Sequence, residues 1–293
     1  AAECINPVGN GLLDFGLQIP KHQETVFGNT AVQTSADVQP MQTHYAFTCG
    51  DVDLKVTFTA PLFMEDLKLL SRPVNYLTYS VAARDGKEHD VEVYFEASPR
   101  WALDQPYQQS ASEGYEADGL LYLKSGSKEQ NILAKQGDDL RIDWGYFYMV
   151  SGKENTAYSI GNSTELRKNF VNGTFNSASL ASEDSNGNMA LVRDYGKVRK
   201  VTDKIRLGYD DIYSIQYFGT NLRPYWNSKG DRTIESEMLG AYNEYDELLA
   251  RCYAFDKKLM EAASAVGGKE YAELCALAYR QSIAAHKLEI GRA

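Results

Sequence analysis

The stretch Asp210-Asp211-Ile212-Tyr213-Ser214-Ile215-Gln216-Tyr217-Phe218-Gly219-Thr220-Asn221-Leu222-Arg223-Pro224-Tyr225-Trp226 decides the fold. Residues before it keep the two-residue rhythm and turn pairs of β-structure, and residues after it keep the three-to-four-residue rhythm of long helices. Within it, Tyr213, Ile215 and Tyr217 alternate with Ser214 and Gln216 as in a last strand. Gly219 releases the backbone, and Pro224 bars a helix from starting before it. The pattern predicts a β-domain over residues 1–222 and a helical unit over 223–293.

Upstream, residues 1–30 carry Gly9, Gly11, Gly16, Pro7 and Pro20 between short apolar groups, which reads as loops with one edge strand. From Thr43 alternation is clear, with Gly50-Asp51 as the turn between two strands. Pro73–Val81 and Asp90–Glu96 read as long strands joined in a hairpin across Arg84-Asp85-Gly86-Lys87. Further strands are predicted at Leu120–Lys124, Asn131–Ala134, Leu140–Tyr148, Thr156–Ile160, Met189–Arg193 and Lys197–Leu207. Leu166–Phe170 suits a short helix and Ser177–Gly187 an exposed loop. Many short strands with almost no helical period between them imply an antiparallel β-sandwich.

Downstream, Met238, Tyr242, Tyr245, Leu249, Cys252, Phe255 and Leu259 form one apolar stripe along a helix of about thirty residues. Glu235 and Glu237 sit in its first turn, where the helix dipole favours them. Gly267-Gly268 ends it, and a second helix from Lys269 repeats the stripe with Tyr271, Leu274, Leu277 and Ala278. A single antiparallel helical hairpin cannot bury both its faces. The hairpin is therefore expected either to lean on the sandwich or to be the first of several.

The formal net charge of −10, with no Lys/Arg cluster, argues against nucleic acid as partner. No apolar run approaches the roughly 20 residues of a membrane-spanning helix. No signal-peptide core precedes Ala1, which leaves any export signal outside this sequence. The four cysteines, Cys4, Cys49, Cys252 and Cys275, lack metal-ligand spacing, so neither a metal nor any other cofactor is expected. A Cys252–Cys275 bridge is disfavoured by their unequal distance from the Gly267-Gly268 turn. Cys4 with Cys49 leaves a disulfide open, although the burial tendency of free cysteine favours small buried thiols.

No GxSxG, P-loop, GxGxxG, HExxH or EF-hand pattern occurs. His22, His44, His89 and His286 lie on separate segments without companions, so they carry no catalytic weight. Paired carboxylates remain, because hydrolysis can be run by an acid and a base a few ångströms apart. Asp210-Asp211 is best placed, at the start of the inter-domain passage, yet neighbours on a strand point to opposite faces and only one can enter a given cleft. Arg223 and Trp226 suit a clamp for a small polar ligand or a platform for a sugar, against the plainer reading of interface packing. Glu65-Asp66 reads as an exposed turn. A row of aromatics such as Tyr146 with Tyr148, if exposed, would point to carbohydrate binding; core packing is the commoner role of such tyrosines.

Three groups of segments carry a resemblance. Thr57-Phe58-Thr59-Ala60-Pro61-Leu62, Asp66-Leu67, Leu70-Ser71-Arg72-Pro73-Val74-Asn75-Tyr76, Asp85-Gly86 and His89-Asp90-Val91 resemble the N-terminal domain of the glutaminase A family. Ser214–Gly219 with Leu222–Trp226 is similar to that family's passage between domains. Tyr271, Leu274, Leu277–Gln281 and Ala284–Leu288 resemble the opening of its six-hairpin helical domain. The resemblance implies a secreted or periplasmic hydrolase that converts L-glutamine to glutamate and ammonia, with a β-sandwich before an (α/α) toroid. It also implies that a chain with only the first helical hairpin lacks a full catalytic set and is inactive alone. A glycoside hydrolase of the six-hairpin type, and a non-catalytic carbohydrate-binding or structural sandwich, are the alternatives.

Overall fold

The computed structural model describes residues 30–137, 141–177, 187–284 and 288. In chain order the strands are β1 (Val32–Val38), β2 (Gln42–Cys49), β3 (Val52–Thr59), β4 (Val74–Ala83), β5 (His89–Ala97), β6 (Ser110–Ala117), β7 (Leu120–Ser127), β8 (Tyr146–Gly152), β9 (Thr156–Gly161), β10 (Asn188–Val198), β11 (Lys200–Asp210), β12 (Ile215–Tyr217) and β13 (Thr220–Leu222). The helices are α1 (Leu67–Ser71), α2 (Ser163–Val171), α3 (Ile234–Asn243) and α4 (Tyr245–Ala284). The described chain is mostly β and its strand pairs are antiparallel, as the alternation predicts.

An eight-stranded sheet runs in the order β1-β2-β3-β4-β11-β8-β7-β6, and a three-stranded sheet runs β5-β10-β9. The two pack face to face through Leu77, Tyr79, Leu123, Phe147, Met149, Ile205 and Leu207 on one side and Ala97, Ile160, Met189 and Leu191 on the other. The opposite face of the large sheet does not meet solvent at its centre. There Tyr76, Leu120, Tyr122, Tyr148 and Val150 form a second core with Ile234, Met238, Ala241, Tyr245, Leu248 and Cys252 of α3 and α4. The sandwich thus gains a third, helical layer. A sheet covered on both faces has no polar side to alternate with, which is why Leu120–Leu123 and Phe147–Val150 are unbroken apolar runs. Burying each large side chain of this helical seam contributes on the order of 1.5–3 kcal/mol.

Close approach of α3 requires Gly208. A Cβ there would lie 2.3 Å from Met238 Cε and 2.6 Å from the Pro73 carbonyl oxygen. Thr233 caps α3 in a reciprocal capping box with Ser236, and Arg72 ties the helix to the segment before β4 by ion pairs to Glu237 and Glu244. The expected thirty-residue helix is broken at Glu244, whose φ/ψ of −89/1 leaves the helical region, and a further non-helical residue, Gly268 (φ 79, ψ −172), reverses α4 on itself. Phe255 then meets Tyr279 at 5.1 Å between ring centroids, about equally far in sequence from the reversal, so the two halves run antiparallel. The hairpin leans on the sheet edge: Met41 N–H donates to Asp256 Oδ1 at 2.8 Å, Arg280 donates to Thr43 Oγ1 at 2.6 Å, and Tyr279 donates to the Leu62 carbonyl at 2.5 Å.

Several sequence expectations are corrected. Gly50 turns β2 into β3 as expected, but β4 and β5 do not form a hairpin. Both edges of β4 are taken, by β3 and β11, so the Asp85-Gly86 turn carries the chain into the other sheet, where β5 pairs with β10. Asn131–Ala134 is a turn rather than a strand. The Gln130 side chain occupies the ladder positions there, accepting from Gly145 N–H at 2.7 Å and donating to the Ser127 carbonyl at 2.7 Å. Of the strand expected at Leu140–Tyr148, Leu140 lies outside the described residues, and of the rest only Tyr146–Tyr148 is extended, as the start of β8, because Gly145, at φ 80, turns against the Asp210 carbonyl. Cys49 is disulfide-bonded rather than a buried thiol, whereas Cys252 and Cys275 are free. Cys4, the expected edge strand within residues 1–29, most of the Ser177–Gly187 loop, and His22 and His286 lie outside the described residues.

Candidate functional site

The stretch from residue 210 to 226 follows the last strand of the large sheet and leads the chain to α3. β11 ends at Asp210, Ile212 adopts φ 59, and β12 and β13 form a small hairpin turned by Phe218 and Gly219 at φ 45 and 77. Trp144 locks the bend by donating from Nε1 to the carbonyls of Asp211 (2.8 Å) and Tyr213 (2.9 Å).

The sheet register sorts the two aspartates. Asp210 lies opposite Tyr146 on the helix-facing side, in line with Gly126 of β7. The next row on that face holds Glu113, Lys124, Tyr148 and Gly208, and the third holds Tyr115, Tyr122, Val150 and Arg206. Tyr115 and Tyr122 stack with centroids 5.0 Å apart, while Lys124 sits 4.1 Å over the Tyr146 ring and pairs with Glu113 at 2.9 Å. Glu235, in the first turn of α3, is brought over this face and accepts a 2.7 Å hydrogen bond from the Tyr115 hydroxyl.

Asp210 and Glu235 are pushed in opposite directions. Burial, joined by the charges of Asp211 and Glu235, raises Asp210 above the usual carboxylate range, although it accepts from Ile212 N–H at 2.9 Å. Burial also works on Glu235, but the Tyr115 hydroxyl, the local backbone and the Lys124 charge outweigh it and hold that carboxyl low. The two carboxyls are thus tuned apart, Asp210 upward and Glu235 downward, the directions in which an acid and a base are tuned. Tyr148, buried on the same face, is also pushed up, first by burial and then by Tyr115, Asp210 and Glu235.

The other sequence candidates sit elsewhere. Asp211, just past the end of β11, is buried, and its carboxylate accepts from the Ser214 hydroxyl at 2.6 Å. Arg223 lies 5.1 Å over the Tyr213 ring and packs against Gly230, close enough to lower Asp210 slightly. Trp226 is only 6% exposed, in a 3-10 turn (Tyr225–Asn227) that packs beside α1, so it offers no open face. Tyr148 is buried and Tyr146 half-buried, so the aromatic row is covered rather than displayed. Asp66 caps α1 through Leu69 N–H at 3.1 Å. His44 bonds the Thr57 hydroxyl at 3.0 Å and His89 the Asp85 carboxylate at 2.9 Å. Among the described residues, no three His, Cys, Asp or Glu side chains are placed to hold a metal ion. Glu235 was missed in the sequence because a carboxylate in a first helical turn is explained by the dipole alone, and nothing local says that a tyrosine on β6 will meet it.

The chain is 26% identical over 276 residues to glutaminase A of Aspergillus oryzae, a match that takes in 88% of this chain and 39% of that protein, so it spans well under half of that relative's length. The resemblance to glutaminase A drawn from separate segments thus extends along nearly the whole chain. Among solved structures, it is similar at 6% identity and a TM-score of 0.32 to heparan sulfate lyase HepC of Pedobacter heparinus, over 62% of this chain and 22% of the lyase. A mutant of the same lyase matches equally. The family described as Domain of unknown function (DUF5127) matches residues 41–262, and the chain belongs to that family.

Proposed function

We propose that the chain is the N-terminal part of an exported glutaminase A-like hydrolase acting on a small-molecule substrate, and that the 293-residue chain alone does not hydrolyse glutamine. The observation that carries this reading is the outer face of the α4 hairpin. Tyr253, Val266, Tyr271, Leu274 and Leu277 are 62, 81, 45, 61 and 45% exposed, large apolar side chains left open along the hairpin that suit further helices packing on them. The division into a β-domain at 1–222 and a helical unit at 223–293 belongs to the same reading, with α3 as the piece that roots the helical unit in the sheet. Export is supported by the disulfide at Cys49, which persists in oxidising compartments.

A glycoside hydrolase is the second reading, and the opposed shifts of Asp210 and Glu235, one upward and one downward, are what favour it. A carbohydrate-binding module draws little support from an aromatic row lying under α3 and Lys124. The test is to express the longer gene product, if the reading frame continues, and assay ammonia from glutamine beside reducing ends from oligosaccharides. Ammonia alone supports the glutaminase reading; reducing ends alone overturn it in favour of the second.

A further inference from the structure

On the helix-facing side of β11, Lys204 and Arg206 stand one pleat apart, opposite Thr78 and Tyr76 of β4. Arg206 is fully buried, and its Nε and both terminal nitrogens have no hydrogen-bond partner among the described residues. The Tyr122 hydroxyl, buried on the same face, has none either. A guanidinium in a dry interior is strongly unfavourable unless a counter-charge or a ring face compensates it. Here a ring lies over it, Tyr242 of α3, with its centroid 4.6 Å from Arg206 Cζ. Burial pulls Arg206 down to about 10, which leaves it charged at neutral pH. The Lys204 amine lies 5.5 Å from the same Tyr242 ring and 4.1 Å from that of Tyr245.

Asp203, Glu237 and Glu244 are engaged elsewhere. Asp203 faces the other side of the strand and is held by Arg193 and Tyr195, both at 2.6 Å. Glu237 is shared by Arg72 and Arg232, and Glu244 is taken by Arg72. Two cations with no carboxylate partner among the described residues therefore flank one tyrosine in a chain whose formal charge is −10. That tyrosine is 41% exposed, so its ring lies between the buried guanidinium and solvent.

We propose that Arg206, Lys204 and the Tyr122 hydroxyl form a binding site for a small carboxylate, covered by the Tyr242 ring. The guanidinium fork offers two parallel N–H donors to the two oxygens of a carboxylate, and the ammonium and phenol supply further donors. Rotation of the half-exposed Tyr242 side chain uncovers the guanidinium, and a planar carboxylate then takes the place of the ring over it. This inference does not depend on the hydrolase reading.

The test is thermal unfolding of the 293-residue chain in increasing sodium glutamate, against sodium chloride at equal ionic strength. Glutamate should raise the midpoint saturably and chloride should not. Lys204→Gln should weaken the apparent affinity roughly tenfold, the scale of one charge-assisted hydrogen bond. Arg206→Met should abolish the response, and Tyr242→Ala should bind more tightly, because the cover no longer has to be displaced. Equal shifts from both salts, or an unchanged glutamate response in Lys204→Gln, would overturn the proposal. If Arg206→Met fails to fold by circular dichroism, Lys204→Gln and Tyr242→Ala decide the matter.

Discussion

Asp256→Asn is the substitution whose effect the structure fixes most closely. Asp256 is 3% exposed where α4 meets the β1–β2 connection. Its Oδ1 accepts from Met41 N–H at 2.8 Å, while its Oδ2 has no partner among the described residues. Burial raises the carboxyl to about 6, against the opposing pull of the Met41 and Gln42 amides and the Arg280 charge, with Asp37 adding a small upward push. The folded chain therefore binds a proton more tightly than the unfolded one. Stability from this group is greatest below the unfolded pKa and is lost as pH rises from about 4 to about 6, a total of about 3 kcal/mol for a rise of about two units. Asparagine keeps an acceptor for Met41 and never ionises. The stability of Asp256→Asn relative to wild type should therefore increase by up to about 3 kcal/mol between pH 4 and pH 7, and stay level above that. Urea unfolding of both proteins at half-unit pH steps reads the difference directly, and other titrating groups cancel in it. A difference that does not change with pH would refute the reasoning, and one that falls with pH would mean that Arg280 and the two amides outweigh burial.

Other predictions follow from the same contacts. Gly208→Ala should cost about 1–3 kcal/mol in urea unfolding, because the Pro73 carbonyl 2.6 Å from the new Cβ is backbone and cannot swing away. Cys49→Ser should lower stability by about 2–5 kcal/mol, and dithiothreitol should lower the melting temperature of the wild type but not of the variant. Carboxyl NMR should place Asp210 above the ordinary aspartate midpoint, and Glu235→Gln should move it down only part of the way, since burial is the larger cause.

The change of period at residues 210–226 was enough to locate the passage from sheet to helix, because it depends on local alternation and on Pro224. Turn chemistry was legible too, but not its destination. Gly86 takes the positive φ expected of it, yet whether the next strand pairs back or crosses to another sheet is decided by β3 and β11 competing for the same edges. The helical layer was half-legible: the stripe from Met238 to Leu259 says that a face is buried, while the partner face is announced only by the unbroken runs in β7 and β8. Strand geometry predicts opposite facing for Asp210 and Asp211, but β11 ends at Asp210, so that alternation stops at the first of the pair. Glu235 and Arg206 could not be singled out, because their roles come from three strands and a helix meeting at a distance in sequence.

Ammonia release from L-glutamine by the purified 293-residue chain, followed by a coupled assay sensitive to single turnovers, tests the central functional claim most directly. The account predicts no release above buffer from this chain, and release once the helical part that packs on Tyr253, Leu274 and Leu277 is supplied on the same polypeptide. Sustained turnover by the chain alone, abolished by Asp210→Asn or Glu235→Gln, would contradict it and place a complete active site between the sheet and α3.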